Sequence, residues 1–309
     1  MLSAPKMPMR SAPSAVDHVV ARIRTVYGGW NRHTPIQQMR RDWDEFLWFD
    51  ALAPRTGDVD IEGLRARWID AKGSRPEFVL LYFHGGGYKM GSVRSHHDLM
   101  SRLSAAAGCR VLGLDYRLLP EHVFPAPVED ACRAYRWLLE QGYAPDHVAL
   151  AGDSAGGGMA AAALLSLRDQ GVPLPAAAVL LSALTDFETR GASYETRAAV
   201  DPIHNRQLIQ ALAKQYLGRE GDVRQVLASP LNGELRGLPP LLLQVGDRET
   251  GLDDSVLFAA KAAAAGVDAT LQVWEGMIHV FQQFPAELIE AKDAIDHIGA
   301  FLKSRWSIS

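Results

Sequence analysis

"HVALAGDSAGGGMAAAALL", His147 to Leu165, is the stretch on which the reading of this chain turns. Val148 to Ala151 is an apolar run fit for a buried strand, and Gly157 to Leu165 reads as an Ala- and Leu-rich helix. Between them lies Gly152-Asp153-Ser154-Ala155-Gly156, a G-x-S-x-G match. Alone it is weak, because glycine and serine are common residues. Between a strand and a helix it becomes the pattern of a nucleophile elbow, a strained turn that exposes a serine oxygen. Gly152 and Gly156 relieve crowding there, and the helix N-terminus favours negative charge developing near it. The plainer alternative is a Ser154 that only caps its helix.

Outward from the elbow, strand-like runs alternate with helical patterns. "FVLLYF" (Phe78–Phe83), "CRVLGLDY" (Cys109–Tyr116), "HVALAG" (His147–Gly152), "AAVLLSA" (Ala177–Ala183), "LLLQVG" (Leu241–Gly246) and "ATLQVW" (Ala269–Trp274) are predicted strands. Longer segments at helical spacing separate them, which predicts an α/β fold with a mainly parallel central sheet flanked by helices. Two stretches interrupt the rhythm. "HTPIQQMRRDWDEFLWF" reads as an amphipathic helix with Thr34 as N-cap, Pro35 as first residue and Ile36, Met39, Trp43, Phe46 and Leu47 on one face. Between about Thr185 and Arg224, "DPIHNRQLIQALAKQYLG" is a further helical pattern. A single domain over residues 1–309 is expected, with a helical cap built from about 1–50 and about 185–224.

The 309 residues are 48% hydrophobic and 22% charged, ordinary globular usage, with a net charge of −4. That balance gives no reason to expect nucleic acid or an anionic membrane as partner. Two cysteines, Cys109 and Cys132, are too few for a disulfide framework and read as free core thiols. The first twenty residues lack the continuous apolar run of a signal peptide, and no stretch approaches the roughly 20 apolar residues of a membrane span. A soluble, cytoplasmic protein is expected. His96-His97 lacks matched ligands at metal spacing, so neither a metal nor a cofactor is expected.

A serine is a poor nucleophile near neutral pH and needs a base, which needs an orienting acid. Around such an elbow the chain order is Ser, acid, His. Of the histidines after Ser154, His204 sits in the cap segment and His297 in the last helix, as a surface residue. His279 follows the strand "ATLQVW" in a loop from which a base can reach the elbow. The acid belongs in the loop after "LLLQVG", where Asp247, Glu249, Asp253 and Asp254 compete. Asp253 and Asp254 begin a helix, where acids are stabilised anyway. Spacing does not separate Asp247 from Glu249. The glycines of "HGGGY" (His84–Tyr88) have no Cβ to keep a developing oxyanion from backbone N–H groups. The expected oxyanion donors are Gly85 and Gly86, together with Ala155. A phosphate-binding loop would need Gly-Lys-Ser/Thr, or a G-x-G-x-x-G opening a helix, and neither is present.

"FHGGGY", "LDYRLLPEHVFPAPVEDA", "AGDSAGGGMA" and "WEGMIHVF" together resemble the bacterial hormone-sensitive-lipase-like branch of α/β-hydrolases, from about Val79 to the C-terminus and in family order. The resemblance implies a serine carboxylesterase of the α/β-hydrolase fold that takes small-molecule esters with short or medium acyl chains. It implies a homodimer as well. The family usually writes the acid loop as Asp-Pro-Leu-x-Asp-Glu. "ETGLDDS" aligns with it and places Glu249 at the acid position, with Asp247 as the alternative. Tyr88 and Phe281 are expected to line the acyl pocket. His84 is expected to orient its own loop, and Asp115, Tyr116, Arg117 and Asp153 to be structural. A lactone or amide hydrolase would use the same parts. Hormone receptors of plants that resemble this family keep the serine but lose the histidine, whereas His279 stands here.

Overall fold

Apolar runs as continuous as Val79–Phe83 are stable only where both faces of a sheet are covered. The computed structural model describes residues 5–218 and 220–306. Residues 1–4 and Arg219, which fall within the two predicted cap segments, lie outside the described residues. The chain runs through β1 (Lys6–Met7), α1 (Pro13–Gly28), α2 (Ile36–Leu47), β2 (Arg55–Ile61), β3 (Leu64–Asp70) and β4 (Arg75–Phe83). There follow α3 (His97–Ala107), β5 (Cys109–Asp115), α4 (Ala126–Glu140), β6 (Val148–Asp153), α5 (Ala155–Asp169) and β7 (Ala177–Leu181). The last third holds α6 (Ser193–Thr196), α7 (Arg206–Leu217), β8 (Leu241–Gly246), α8 (Leu252–Ala264), β9 (Ala269–Trp274) and α9 (Ile289–Arg305).

The sheet order is β1-β9-β8-β7-β6-β4-β5-β3-β2, parallel except where β3 pairs with β2 and β5. All six predicted strands are present. Successive residues of β4 serve opposite layers, as the pleat requires. Leu81 and Phe83 join Leu164 of α5 and Phe258 of α8, whereas Leu80 and Tyr82 join Leu103 of α3 and Ile298 of α9. Cys109 and Cys132 are buried free thiols.

Four elements, the strands of the β2–β3 hairpin, β1 and α1, match none of the individual segments picked out in the sequence. The β2–β3 hairpin turns at Glu62-Gly63, both with positive φ (52° and 88°), the geometry of a type I′ turn. Strand β1 pairs with β9, setting Lys6 beside Val273. Helix α1 starts with Pro13 at its first position and buries Val16, Val19, Val20 and Ile23, an i, i+3, i+4, i+7 stripe. It packs with α2 against Trp274, Phe281 and Phe284 in a third apolar cluster. The start of α2 differs from the expected one. Pro35 is extended (ψ 141°), Ile36 is the first helical residue, and the Thr34 hydroxyl accepts the Asn31 N–H at 2.9 Å instead of capping. Among the described residues no helix is long and apolar enough to cross a membrane.

Candidate active site

Strand β6 ends at Asp153 and α5 begins at Ala155, so Ser154 alone must reverse the chain. It does so with φ 54° and ψ −120°, a conformation that costs a non-glycine residue on the order of 1–3 kcal/mol. The surrounding backbone holds it there. Its N–H donates to the Leu181 carbonyl (2.8 Å), and its carbonyl accepts from Leu184 (3.0 Å) and Gly158 (3.0 Å). A Cβ on Gly156 would run into the Phe83 and His84 carbonyl oxygens, and one on Gly152 into the Gly156 backbone, which is why both flanks are glycine.

His279, in the loop after β9, and Glu249, in the loop after β8, meet beside the elbow. Nδ1 of His279 lies 2.7 Å from Glu249 Oε2. Glu249 is fully buried, and its Oε1 accepts from the Ser182 hydroxyl (2.7 Å) and the Gly246 N–H. The Ser182 oxygen in turn accepts the Val280 N–H at 3.1 Å, so this residue ties the acid to the loop of the base. Nothing in the sequence reading had singled out Ser182; a serine ending a strand carries no motif. Nε2 of His279 has no hydrogen-bond partner among the described residues, and His279 lines the same cavity as Ser154. Burial pushes the His279 pKa down, but the Glu249 carboxylate, helped by Asp201 and Asp153, more than offsets this and leaves it raised above 6.5.

Asp247 is spent elsewhere. It accepts the Gly276 N–H at 2.8 Å, pinning the end of β9. Asp253 and Asp254 lie in the first turn of α8, where Asp254 accepts the N–H groups of Thr185 (3.0 Å) and Asp186 (3.1 Å). Of the four carboxylates in this loop, Glu249 is the one bonded to the histidine. His297 is half-buried against Trp274 rather than at the surface, with ring centroids 5.5 Å apart.

The glycine loop requires a correction. The Gly85 N–H donates to Asp153 Oδ1 at 2.9 Å, so Gly85 is not free to serve as an oxyanion donor. Asp153 also accepts the Tyr82 hydroxyl (2.7 Å) and sits 3.2 Å from His96 Nε2. Burial pushes the Asp153 carboxyl up, but His96 and Tyr82 outweigh it and hold the pKa below the usual carboxylate range. The N–H groups of Gly86 (φ 114°) and Gly87 (φ 62°) donate to no protein acceptor among the described residues, and both glycines line the cavity. Ala155 is the first residue of α5, where the N–H has no partner within the helix. His84 bonds Gly85 through its ring (2.8 Å) and stacks on Tyr116; burial, with the nearby His96, pulls its pKa down to about 3.

Tyr88 and Phe281 do not line the cavity. Tyr88, with φ 57°, is turned back to stack on Tyr216 of α7 at 4.0 Å. Phe281 opens a short 3₁₀ turn and is fully buried against Trp274. The walls of the cavity, about 360 Å³, come instead from Ile23 and Tyr27 of α1, Met39 and Trp43 of α2 and Leu208 and Leu212 of α7. Their apolar side chains suit a hydrocarbon group.

The family model described as alpha/beta hydrolase fold matches residues 80–283. The chain is 46% identical to an acetyl-hydrolase of Streptomyces hygroscopicus over 83% of its own length and 85% of that protein's. It is 34% identical to an esterase of Acinetobacter venetianus, covering 80% and 81% of the two chains. Among solved structures it resembles an esterase from the bacterial hormone-sensitive lipase family, with 47% identity and a TM-score of 0.91 over 97% of this chain and 100% of that one.

Proposed function

We infer how this protein works from its family, for the chain belongs to the α/β-hydrolases of the bacterial hormone-sensitive-lipase type. It is a carboxylic ester hydrolase, and its reaction runs through Ser154, His279 and Glu249. The observation that carries the triad is the 2.7 Å contact of Glu249 with His279 Nδ1, which leaves Nε2 unpartnered on the cavity that Ser154 lines.

His279 Nε2 accepts the Ser154 proton as Oγ attacks the ester carbonyl, and Glu249 holds the proton on Nδ1 and stabilises the imidazolium. The N–H groups of Gly86, Gly87 and Ala155 receive the oxyanion in geometry set by folding, so no donor has to reorganise as charge develops. The imidazolium then protonates the departing alcohol. Water, deprotonated by the same nitrogen, cleaves the acyl-enzyme and restores the Ser154 hydroxyl. Labelling by a fluorophosphonate, which reacts only with an activated serine, tests this; a protein that stays unlabelled at Ser154 overturns it.

The acyl group belongs in the cavity walled by α1, α2 and α7, and these elements, from about 1–50 and about 185–224, act as its cap. The chamber of about 360 Å³ supports short- to medium-chain substrates. Across p-nitrophenyl esters, kcat/KM is expected to peak between acetate and hexanoate and to fall at least about tenfold by dodecanoate; a peak at dodecanoate contradicts the assignment. A cytoplasmic location and a homodimer complete the proposal, resting on composition and family resemblance.

The raised His279 pKa sets the pH profile. The base must be neutral to act, so kcat/KM, which reports the free enzyme, rises with pH through a value above about 6.5. A profile flat from about pH 5 to 8, or a midpoint well below 6.5, would contradict a histidine base paired with Glu249.

A further inference from the structure

The segment joining α6 to α7 touches the triad twice. Asp201 is nearly buried, and its Oδ2 accepts both the N–H (2.7 Å) and the hydroxyl (2.9 Å) of Thr250, the neighbour of Glu249. Its Oδ1 accepts the N–H groups of Ile203 and His204, each at 2.9 Å, which folds the segment into a turn. That turn sets the His204 ring perpendicular to the His279 ring, centroids 4.3 Å apart. The His204 ring nitrogens bond to no protein group among the described residues; the turn places the ring against His279 and at the wall of the cavity that Ser154 lines. Asn205 then caps α7, accepting the Leu208 N–H at 2.9 Å, and α7 carries Leu212 into the cavity wall.

The bond from Nδ1 to Glu249 fixes one point of the His279 imidazole but leaves the ring able to swing about that contact. We propose that His204 is a positioning residue, which blocks this swing and keeps His279 Nε2 turned toward Ser154, with Asp201 as the lock that holds His204 in place. The proposal rests on the reading of His279 as the base. The charged or titratable groups facing His279 are Glu249 from the acid loop, Asp153 from the elbow, and Asp201 and His204 from this segment. Burial, reinforced by His279, pushes the His204 pKa down, so His204 stays neutral when its neighbour takes the serine proton. Two imidazolium rings in this contact would repel each other. The Asp201 carboxylate favours the His279 imidazolium and so helps to raise its pKa.

The test is the kinetics of the intact protein on p-nitrophenyl butyrate, with folding followed by circular dichroism. His204→Gln keeps polarity without a ring and should lower kcat about tenfold, changing KM less than about threefold. His204→Phe keeps an aromatic edge without ring nitrogens and should return kcat to within about threefold of the parent. Asp201→Asn removes the charge from the lock and should move the acid limb of kcat/KM to lower pH. The proposal is overturned if His204→Gln has parental kcat, if His204→Phe is as impaired as His204→Gln, or if Asp201→Asn leaves the limb in place. His279→Ala serves as control: activity surviving there defeats the reading of His279 as base, whereas its loss beside silent His204 variants defeats this proposal alone.

Discussion

Ser154→Ala is expected to lower kcat on the order of 10⁴–10⁶-fold while leaving the protein folded. The substitution removes the attacking oxygen and little else. The elbow is held by main-chain bonds, from the Ser154 N–H to Leu181 and from Leu184 to the Ser154 carbonyl, and alanine keeps both. Alanine at φ 54° is strained to a similar degree as serine, so thermal unfolding should shift little. His279→Ala should be nearly as severe. The double variant should be no worse than either single one, because nucleophile and base act as a unit. Steady-state kinetics on purified protein, with circular dichroism as the folding control, measures this. A Ser154→Ala protein with more than about a tenth of parental activity would refute the elbow assignment.

Glu249→Gln is expected to lose roughly 10³–10⁴ in kcat, beside an Asp247→Asn that loses no more than about tenfold. The Glu249 carboxylate accepts from three donors: the His279 ring, the Ser182 hydroxyl and the Gly246 N–H. An amide has one acceptor oxygen and must turn its NH₂ toward one of those donors. If it faces Nδ1, it favours the tautomer with the proton on Nε2, which cannot accept from Ser154. Asp247 bonds a single N–H, that of Gly276, and an asparagine oxygen can do the same. Paired kinetics of the two variants decide the matter. A crippled Asp247→Asn beside a near-normal Glu249→Gln would reverse the assignment of the acid.

The central strands were legible because burial on both faces leaves long apolar runs, and the elbow because its flanking glycines are sterically required. The β2–β3 hairpin was not, since most of β2 is exposed and only Val59 and Ile61 turn an apolar side chain to the core. Helix α1 did carry a signal, the Val16-Val19-Val20-Ile23 stripe, in a stretch assigned to the cap only by its position within about 1–50. The spacing of the acid loop left two carboxylates open, and which of them reaches His279 depends on where the chain bends after Gly246. The oxyanion loop failed by one residue for a similar reason. Gly85, Gly86 and Gly87 look alike as letters, but Asp153 captures the first N–H through a contact between distant parts of the chain. Tyr88 and Phe281 were misjudged because a positive φ and a 3₁₀ turn point them away from the cavity.

The pairing of β1 with β9, and the packing of α1 and α2 on Trp274 and Phe284, bear on when the cavity can come into being. Its first wall comes from residues before about 50, yet the surface on which that wall rests comes from residues after about 270. Until residues up to about Phe284 are synthesised, Ile23, Tyr27 and Trp43 lack the Trp274–Phe284 surface on which α1 and α2 pack, and that join bridges more than 200 residues. Contacts so distant in sequence add a loop-closure cost that local contacts do not carry. Pocket completion is thus separable from formation of the nucleophile's turn: a chain that holds the β6–α5 elbow but has not docked α1 and α2 lacks the Ile23, Tyr27 and Trp43 wall.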